Sequence, residues 1–292
     1  MNLRGHGVAV ITPFDAKGNI DYFSFEKHLN KIISSKVDYL VILGTTSEIS
    51  TLSLLEQVEI SEFVLRINKN RLPLVIGVGG NNTKSILKKL GEFNLSNFQS
   101  VLSVCPYYNL PDQNGLFEHF SKISSNCPIP LILYNVPSRS ALNINPNTFL
   151  QLIKKHNNII GIKDAGNIEQ IDELVFFCGN KIQIISGDDF SIFESISRGA
   201  VGSISVIGNA FPLKINTLVK YSLSSERLKA LKIQNELKRI ISFIYEEGSP
   251  AGIKCLLNKM KVCDNNLRLP LLQVSEKLNY SIEMELKSLI SN

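Results

Sequence analysis

Eight short, β-rich apolar segments punctuate this chain, separated by stretches with helical spacing. They are GVAVITPF (7–14), YLVILGTT (39–46), PLVIGVGG (73–80), SVLSVCPYY (100–108), PIPLILYNVP (128–137), IIGIKDA (159–165), IQIISGDD (182–189) and VGSISVIGN (201–209). Between them, Phe25, Leu29, Ile32 and Ile33, and later Phe149, Leu152 and Ile153, recur at the three-to-four-residue interval of an amphipathic helix. Continuous apolar runs alternating with such helices imply parallel strands buried on both faces, and eight units at about 30-residue spacing match a (β/α)8 TIM barrel. The competing architecture is an open doubly wound sheet. A dinucleotide-binding sheet is expected to carry G-x-G-x-x-G in its first strand-to-helix turn, and TPFDAKG has no such pattern. From about residue 212 the pattern is wholly helical, so a barrel over 1–224 is expected, followed by additional C-terminal helices over 225–292. Leu228, Leu231, Leu237, Ile241 and Ile244 are expected on one face of a long helix, and Leu278, Ile282, Leu286 and Leu289 on another. These helices are a candidate oligomer surface.

Composition narrows the function. The 292 residues are 44% hydrophobic and 20% charged with a net charge of +5, which suits a globular protein. Lysines are interleaved with acids, as in ERLKALKIQNELKR, so nucleic-acid binding is not expected. No apolar run approaches the roughly 20 residues needed to span a bilayer, and MNLRGHGVAVITPF lacks the order of a signal peptide. A cytoplasmic protein without membrane partners is expected. The five cysteines form no C-x-x-C pair and are read as packing residues in a reducing compartment. His6, His28, His119 and His156 do not gather at strand ends, so neither a metal nor another cofactor is expected.

In such a barrel the active site lies at the carboxyl ends of the strands. Those ends carry Gly44, Thr45 and Thr46; Tyr107 and Tyr108; Tyr134 and, beyond Pro137, Arg139; Lys163 and Asp164; Gly187, Asp188 and Asp189; and Ser203, Ile204 and Ser205. With period-two alternation, Ile159, Gly161 and Lys163 share one face and Ile160 and Ile162 the other. Ile160 and Ile162 suit the outer face, which turns Lys163 into the mouth with Gly161 leaving room below it. On position alone, a lysine snorkelling to water is an equal reading. A free lysine has a pKa of about 10.4 and is about 0.04% amine at pH 7, whereas desolvation to roughly 7.5 raises that to about 24%. That gain serves a nucleophile that forms a Schiff base with a carbonyl substrate. Imine chemistry also needs a proton shuttle, which Tyr134, Thr46 and a tyrosine of the 107/108 pair can supply. Amides and hydroxyls at Gly44, Thr45 and Thr46 suit a carboxylate, and Arg139 suits a second. Asp189, just before Phe190, is read as a helix cap. The acidic end of the seventh strand argues against a phosphorylated substrate.

Taken together, GTTSE (44–48), PYYN (106–109), YNVPSR (134–139), GIKDA (161–165) and SGDD (186–189) resemble the dihydrodipicolinate synthase family of pyruvate-dependent class I aldolases, from about residue 3 to about 270. The resemblance implies condensation of pyruvate, held on Lys163, with L-aspartate 4-semialdehyde in lysine (diaminopimelate) biosynthesis. It implies Tyr134 as the central proton-transfer hydroxyl, with Thr46 and Tyr108 completing the relay and Tyr108 reaching in from a neighbouring subunit. Thr45 and Thr46 are implied to bind the pyruvate carboxylate and Arg139 that of the semialdehyde, while main chain near Gly187 and Ile204 orients lysine and substrate. A homotetramer of two tight dimers is expected. Ser47 departs from the usual glycine and Asp164 from the usual glutamate, and the turn between Ala165 and Asn167 is a residue short. Where lysine-inhibited members carry two histidines and a glutamate, this chain has Leu54, Gln57 and Ser85, although Asn81 and Tyr107 are kept. Weak or absent feedback inhibition is therefore expected. The alternatives are a sister aldolase such as N-acetylneuraminate lyase, against which Arg139 argues, and a non-catalytic binding barrel, which has no reason to keep Lys163, Tyr134, Thr46 and Tyr108 together.

Overall fold

The computed structural model describes residues 1–291. The first half contains β1 (Gly5–Ala9), α1 (Tyr22–Ser34), β2 (Tyr39–Ile42), α2 (Leu54–Asn68), β3 (Leu74–Gly77), α3 (Thr83–Glu92), β4 (Ser100–Val104) and α4 (Gln113–Asn126). Next come β5 (Leu131–Asn135), α5 (Pro137–Ser140), α6 (Pro146–Lys155), β6 (Ile159–Asp164), α7 (Glu169–Cys178), β7 (Gln183–Ser186), α8 (Ile192–Ser197) and β8 (Gly202–Ser205). Four helices complete the chain: α9 (Pro212–Leu223), α10 (Arg227–Glu246), α11 (Ser249–Lys259) and α12 (Glu276–Ser291). All eight expected segments contain strands, which pair in parallel in chain order and close through β1 and β8 into a barrel. The apolar runs overshoot because their last residues leave the sheet to build the rim.

Two nested apolar layers follow from strands buried on both faces. Inside the barrel, Leu3, Val41, Val75, Leu102, Ile132, Ile185 and Ile204 pack on one another. Between strands and helices a larger layer takes the alternate strand residues, such as Leu40, Ile42, Ile76 and Leu133, together with the apolar faces of the helices. Helix starts follow local chemistry: Asp21 caps α1, Ser53 and Glu56 form a capping box on α2, and Asp112 caps α4.

Strand β6 departs from simple alternation. Its pairing with β5 shifts between Leu131 and Ile132, so Leu131 faces Ile159 but Ile132 faces Gly161. This bulge adds one residue and resets the faces. Ile159 therefore packs in the outer layer and Ile160 against the inner one, the reverse of what alternation implies, while Ile162 stays outside. Lys163 still points inward because the bulge lies below it.

On α10 the buried face is Ala230, Gln234, Leu237, Ile240, Ile241 and Ile244. Leu228, expected there, is 84% exposed. It lies nine residues before Leu237, half a turn out of phase at about 3.6 residues per turn. On α12, Leu278, Ile282 and Leu286 are buried as expected.

The C-terminal helices are locked to the barrel by a fully buried ion pair between Lys254 of α11 and Glu48 in the loop after β2. Lys254 also donates to Asn266 O at 2.9 Å, and Glu48 accepts the Arg268 amide at 3.2 Å. Both cations lie over the Phe14 ring, at 4.1 and 4.5 Å from its centre. Arg268 in turn forks onto Glu56 at 2.9 and 2.5 Å. Burial pulls the Lys254 pKa down, and Glu48 opposes that pull. Replacing Lys254 with Met strands a buried carboxylate, and a loss of about 3–5 kcal/mol in unfolding free energy is expected from guanidinium melts.

Candidate active site

Tyr134 and Lys163 are partners in the β5–β6 ladder, so register alone sets their side chains next to each other at the barrel mouth. The Lys163 ammonium stands 4.3 Å from the centre of the Tyr134 ring, and the residue is only 5% exposed. A snorkelling lysine is thereby excluded. Gly187, after β7, makes the room: a Cβ there would come within 2.9 Å of Lys163 Cε and 3.1 Å of its Cγ. Gly161, expected in that role, serves β7 instead, since its Cβ would meet Gln183 O at 2.5 Å.

Lys163 opens into a cavity of about 330 Å³ whose wall includes Tyr134, Thr45, Thr46, Arg139 and Gly187. That size suits a small-molecule site. Thr46 is buried and Thr45 half-buried, both in a 3-10 turn over Thr45–Ser47 rather than in an α-helix. Helix α2 starts only at Leu54, so the groups that Gly44, Thr45 and Thr46 offer a carboxylate are the first amides of the short turn and the two hydroxyls, with no α-helix dipole behind them. Ser47 is buried and donates to Val10 O at 2.6 Å, which anchors the turn to β1's end.

Two smaller spaces adjoin the main cavity. Both reach Thr45 and Tyr107, and one of about 290 Å³ also touches Arg139. Tyr108 lines none of the three and is 86% exposed at φ 79°. Ile204 lies in the inner core below the cavity, and Val206 lines the wall in its place.

The short turn after Ala165 is built around Asp164. This buried carboxylate accepts Gly166 N at 2.7 Å, Gln170 Nε2 at 2.6 Å and Asn135 Nδ2 at 3.2 Å. Asn143 joins both amides, accepting from Asn135 at 2.7 Å and donating to Gln170 at 2.7 Å. Burial raises the Asp164 pKa against the pull of those donors. The Asp164 carbonyl accepts Gly187 N at 2.6 Å, which ties the lysine strand to the glycine that accommodates it.

Asp189 is not a helix cap. It turns inward, 1% exposed, and accepts Val206 N at 3.1 Å, Ile207 N at 2.8 Å and the Tyr245 hydroxyl at 3.0 Å. Asp188 makes the local contacts, accepting Phe190 N at 3.3 Å and the Ser191 hydroxyl at 2.6 Å. Tyr245 and Ser249, both on the cavity wall, lie outside the strand ends that motivated the candidates. The Ser249 hydroxyl accepts from Arg139 Nη2 at 2.8 Å. The only local hint of them is the G-S-P break between α10 and α11, where Gly248 adopts φ 105°.

Residues 2–289 match the model of the dihydrodipicolinate synthetase family. The chain belongs to that family. Its relatives include the 4-hydroxy-tetrahydrodipicolinate synthases of Karelsulcia muelleri, 42% identical over 99% of this chain and 98% of that one, and of Cytophaga hutchinsonii, 40% identical over 96% and 94%. Among solved structures, the 4-hydroxy-tetrahydrodipicolinate synthase of Methylacidiphilum fumariolicum SolV superposes with a TM-score of 0.96 at 33% identity, covering 99% and 97% of the two chains. The dihydrodipicolinate synthase of Aquifex aeolicus does so at 0.95 and 30%, covering 98% of each. The barrel with its additional C-terminal helices is thus the family's fold.

Burial lifts the Asp189 pKa from 3.8 to about 6, against the hydrogen bonds from Ile207, Tyr245 and Val206 and with help from Asp188. A folded pKa above the unfolded one means a contribution to stability that is full below pH 4, falls as pH rises through 6, and is constant above. Relative to Asp189→Asn, wild type should lose on the order of 3 kcal/mol between pH 4 and pH 7, as read from urea melts at stepped pH.

Proposed function

We propose that this chain condenses pyruvate with L-aspartate 4-semialdehyde, the activity of a 4-hydroxy-tetrahydrodipicolinate synthase of lysine (diaminopimelate) biosynthesis, with Lys163 as the Schiff-base lysine. The observation that carries these roles is the inward, buried placement of Lys163 against Tyr134. The Lys163 amine attacks the keto carbon of pyruvate, the carbinolamine expels water, and loss of a methyl proton gives an enamine. The enamine carbon attacks the aldehyde, whose oxygen takes up a proton. The semialdehyde's own amine then closes the ring on the imine carbon and releases Lys163, so one water leaves per turnover.

Tyr134 is the proton carrier, with Thr46 behind it. Thr45 and Thr46 hold the pyruvate carboxylate, main chain near Gly187 and Ile204 orients the lysine and substrate, and Arg139, steadied by Ser249, takes the acceptor's carboxylate. Tyr108, exposed on its own chain, completes the relay in the cleft of a second copy, which fits a homotetramer of two dimers. Barrel (1–224) and helical region (225–292) act as one catalytic unit, because Tyr245 and Ser249 wall the same cavity as Lys163. No helix among the described residues is long and apolar enough to cross a membrane. N-acetylneuraminate lyase is disfavoured both by the relatives' names and by Arg139.

Borohydride reduction with pyruvate, followed by peptide mapping, should place the adduct on Lys163. An active enzyme with an unmodified 159–166 peptide would overturn the assignment. Feedback by L-lysine should be weak or absent. Gln57 is buried, with its amide donating to Leu52 O at 2.9 Å, Leu54 is half-buried and Ser85 is exposed, so these positions offer no carboxylate to pair with an ammonium. Half-maximal inhibition by submillimolar L-lysine in a coupled assay would contradict this.

A further inference from the structure

The end of β7 sets two carboxylates, Asp188 and Asp189, beside a cavity read above as the site of an anionic acceptor. Unpaired negative charge there would oppose that acceptor and favour a neutral one rich in hydroxyls. Asp188 lines the cavity and accepts from Phe190 N and the Ser191 hydroxyl, which fix its carboxylate in place without cancelling its charge. Asp189 does not line it. Tyr245, from the last turn of α10, does, and its hydroxyl reaches Asp189 Oδ2 at 3.0 Å. The tyrosine ring therefore forms the wall and the carboxylate lies behind it. Among the described residues Tyr245 is the only side chain donating to the Asp189 carboxylate, the other donors to it being the amides of Val206 and Ile207. The ring is held in place by Phe190, whose ring centre lies 5.5 Å away, and Gln234 of the same helix donates to Asp189 O at 2.9 Å.

We propose that Tyr245 is a specificity-determining residue of the acceptor site. By walling off the Asp189 carboxylate it leaves Asp188 as the one carboxylate on the cavity wall among the described residues, so that Arg139 and hydroxyls prevail for an anionic acceptor and a sugar-like one is denied a second carboxylate for its hydroxyls. The inference rests on reading the Arg139 side of the cavity as a carboxylate site.

The test is calorimetric binding of succinate, a four-carbon anionic probe, to enzyme whose Lys163 has been reduced with pyruvate. Tyr245→Phe keeps the wall and should bind within about 3-fold of wild type. Tyr245→Ala exposes Asp189 and should bind about 10- to 100-fold more weakly, and adding Asp189→Asn should bring affinity back to within about 3-fold of wild type. Tyr245→Leu, alone and with Asp189→Asn, repeats the comparison with a smaller void, and pyruvate trapping confirms that each variant is folded. Wild-type affinity in Tyr245→Ala, a loss that Asp189→Asn fails to rescue, or no succinate binding by wild type overturns the proposal. Turnover of aspartate semialdehyde by wild type is scored separately. Its absence beside the expected succinate pattern sinks the functional reading alone, and its presence without that pattern sinks this one alone.

Discussion

The buried pair between Lys254 and Glu48 is the interaction on which the working site depends. Two charges in an apolar setting are tolerable only if each finds further partners, and these do, in Asn266 O, the Arg268 amide and the face of Phe14. Glu48 sits at φ 55°, between the 3-10 turn that carries Thr45 and Thr46 and the next one. Holding its carboxylate therefore holds that turn. Lys254 belongs to α11, whose first residue, Ser249, receives Arg139. A single ion pair thus sets the two ends of the cavity, the proposed pyruvate-carboxylate end and the proposed acceptor end, at a fixed separation.

The second constraint is space around the lysine. A long side chain inside a barrel mouth needs a neighbouring strand end without a Cβ, and Gly187 provides it. The same glycine donates its amide to Asp164 O, so the strand that bears the lysine and the glycine that admits it move together. Asp164 then anchors the turn that follows through Gly166, Gln170 and Asn135. In this turn the Asp164 carboxylate lies close enough to its own chain to accept the amide two residues on. The proposed proton-transfer tyrosine, Tyr134, is placed by ladder register rather than by a loop, which suits chemistry that depends on close placement.

Charge at the cavity is managed rather than avoided. Asp164, Asp188 and Asp189 all lie at strand ends beside the lysine, yet each carboxylate is occupied by donors from its own chain. Of the three only Asp188 lines the cavity, where it stands with Lys163, Arg139 and hydroxyls. That balance, rather than the barrel, separates a site for small carboxylates from one for sugars.

Much was legible in the linear chain. Apolar runs and helical spacing are local properties, so eight strands and their closure followed from residue order, and of the rim residues named from strand ends Thr45, Thr46, Tyr134, Arg139, Lys163 and Gly187 line the cavity, whereas Tyr108, Ile204 and Asp189 do not. Three kinds of fact were not legible. The β6 bulge exchanges the faces of Ile159 and Ile160 because strand pairing, not sequence period, sets register. The roles of Gly161 and Gly187 depend on which backbone approaches each. Arg139 with Ser249, Glu48 with Lys254 and Asp189 with Tyr245 join residues 110, 206 and 56 positions apart. The sequence by itself determined the barrel and the chemistry its mouth can perform, because periodicity and residue type are written residue by residue. Tertiary structure alone decided which carboxylates are withdrawn and which helices finish the wall, because hydrogen bonds and burial are made between elements that only folding brings together.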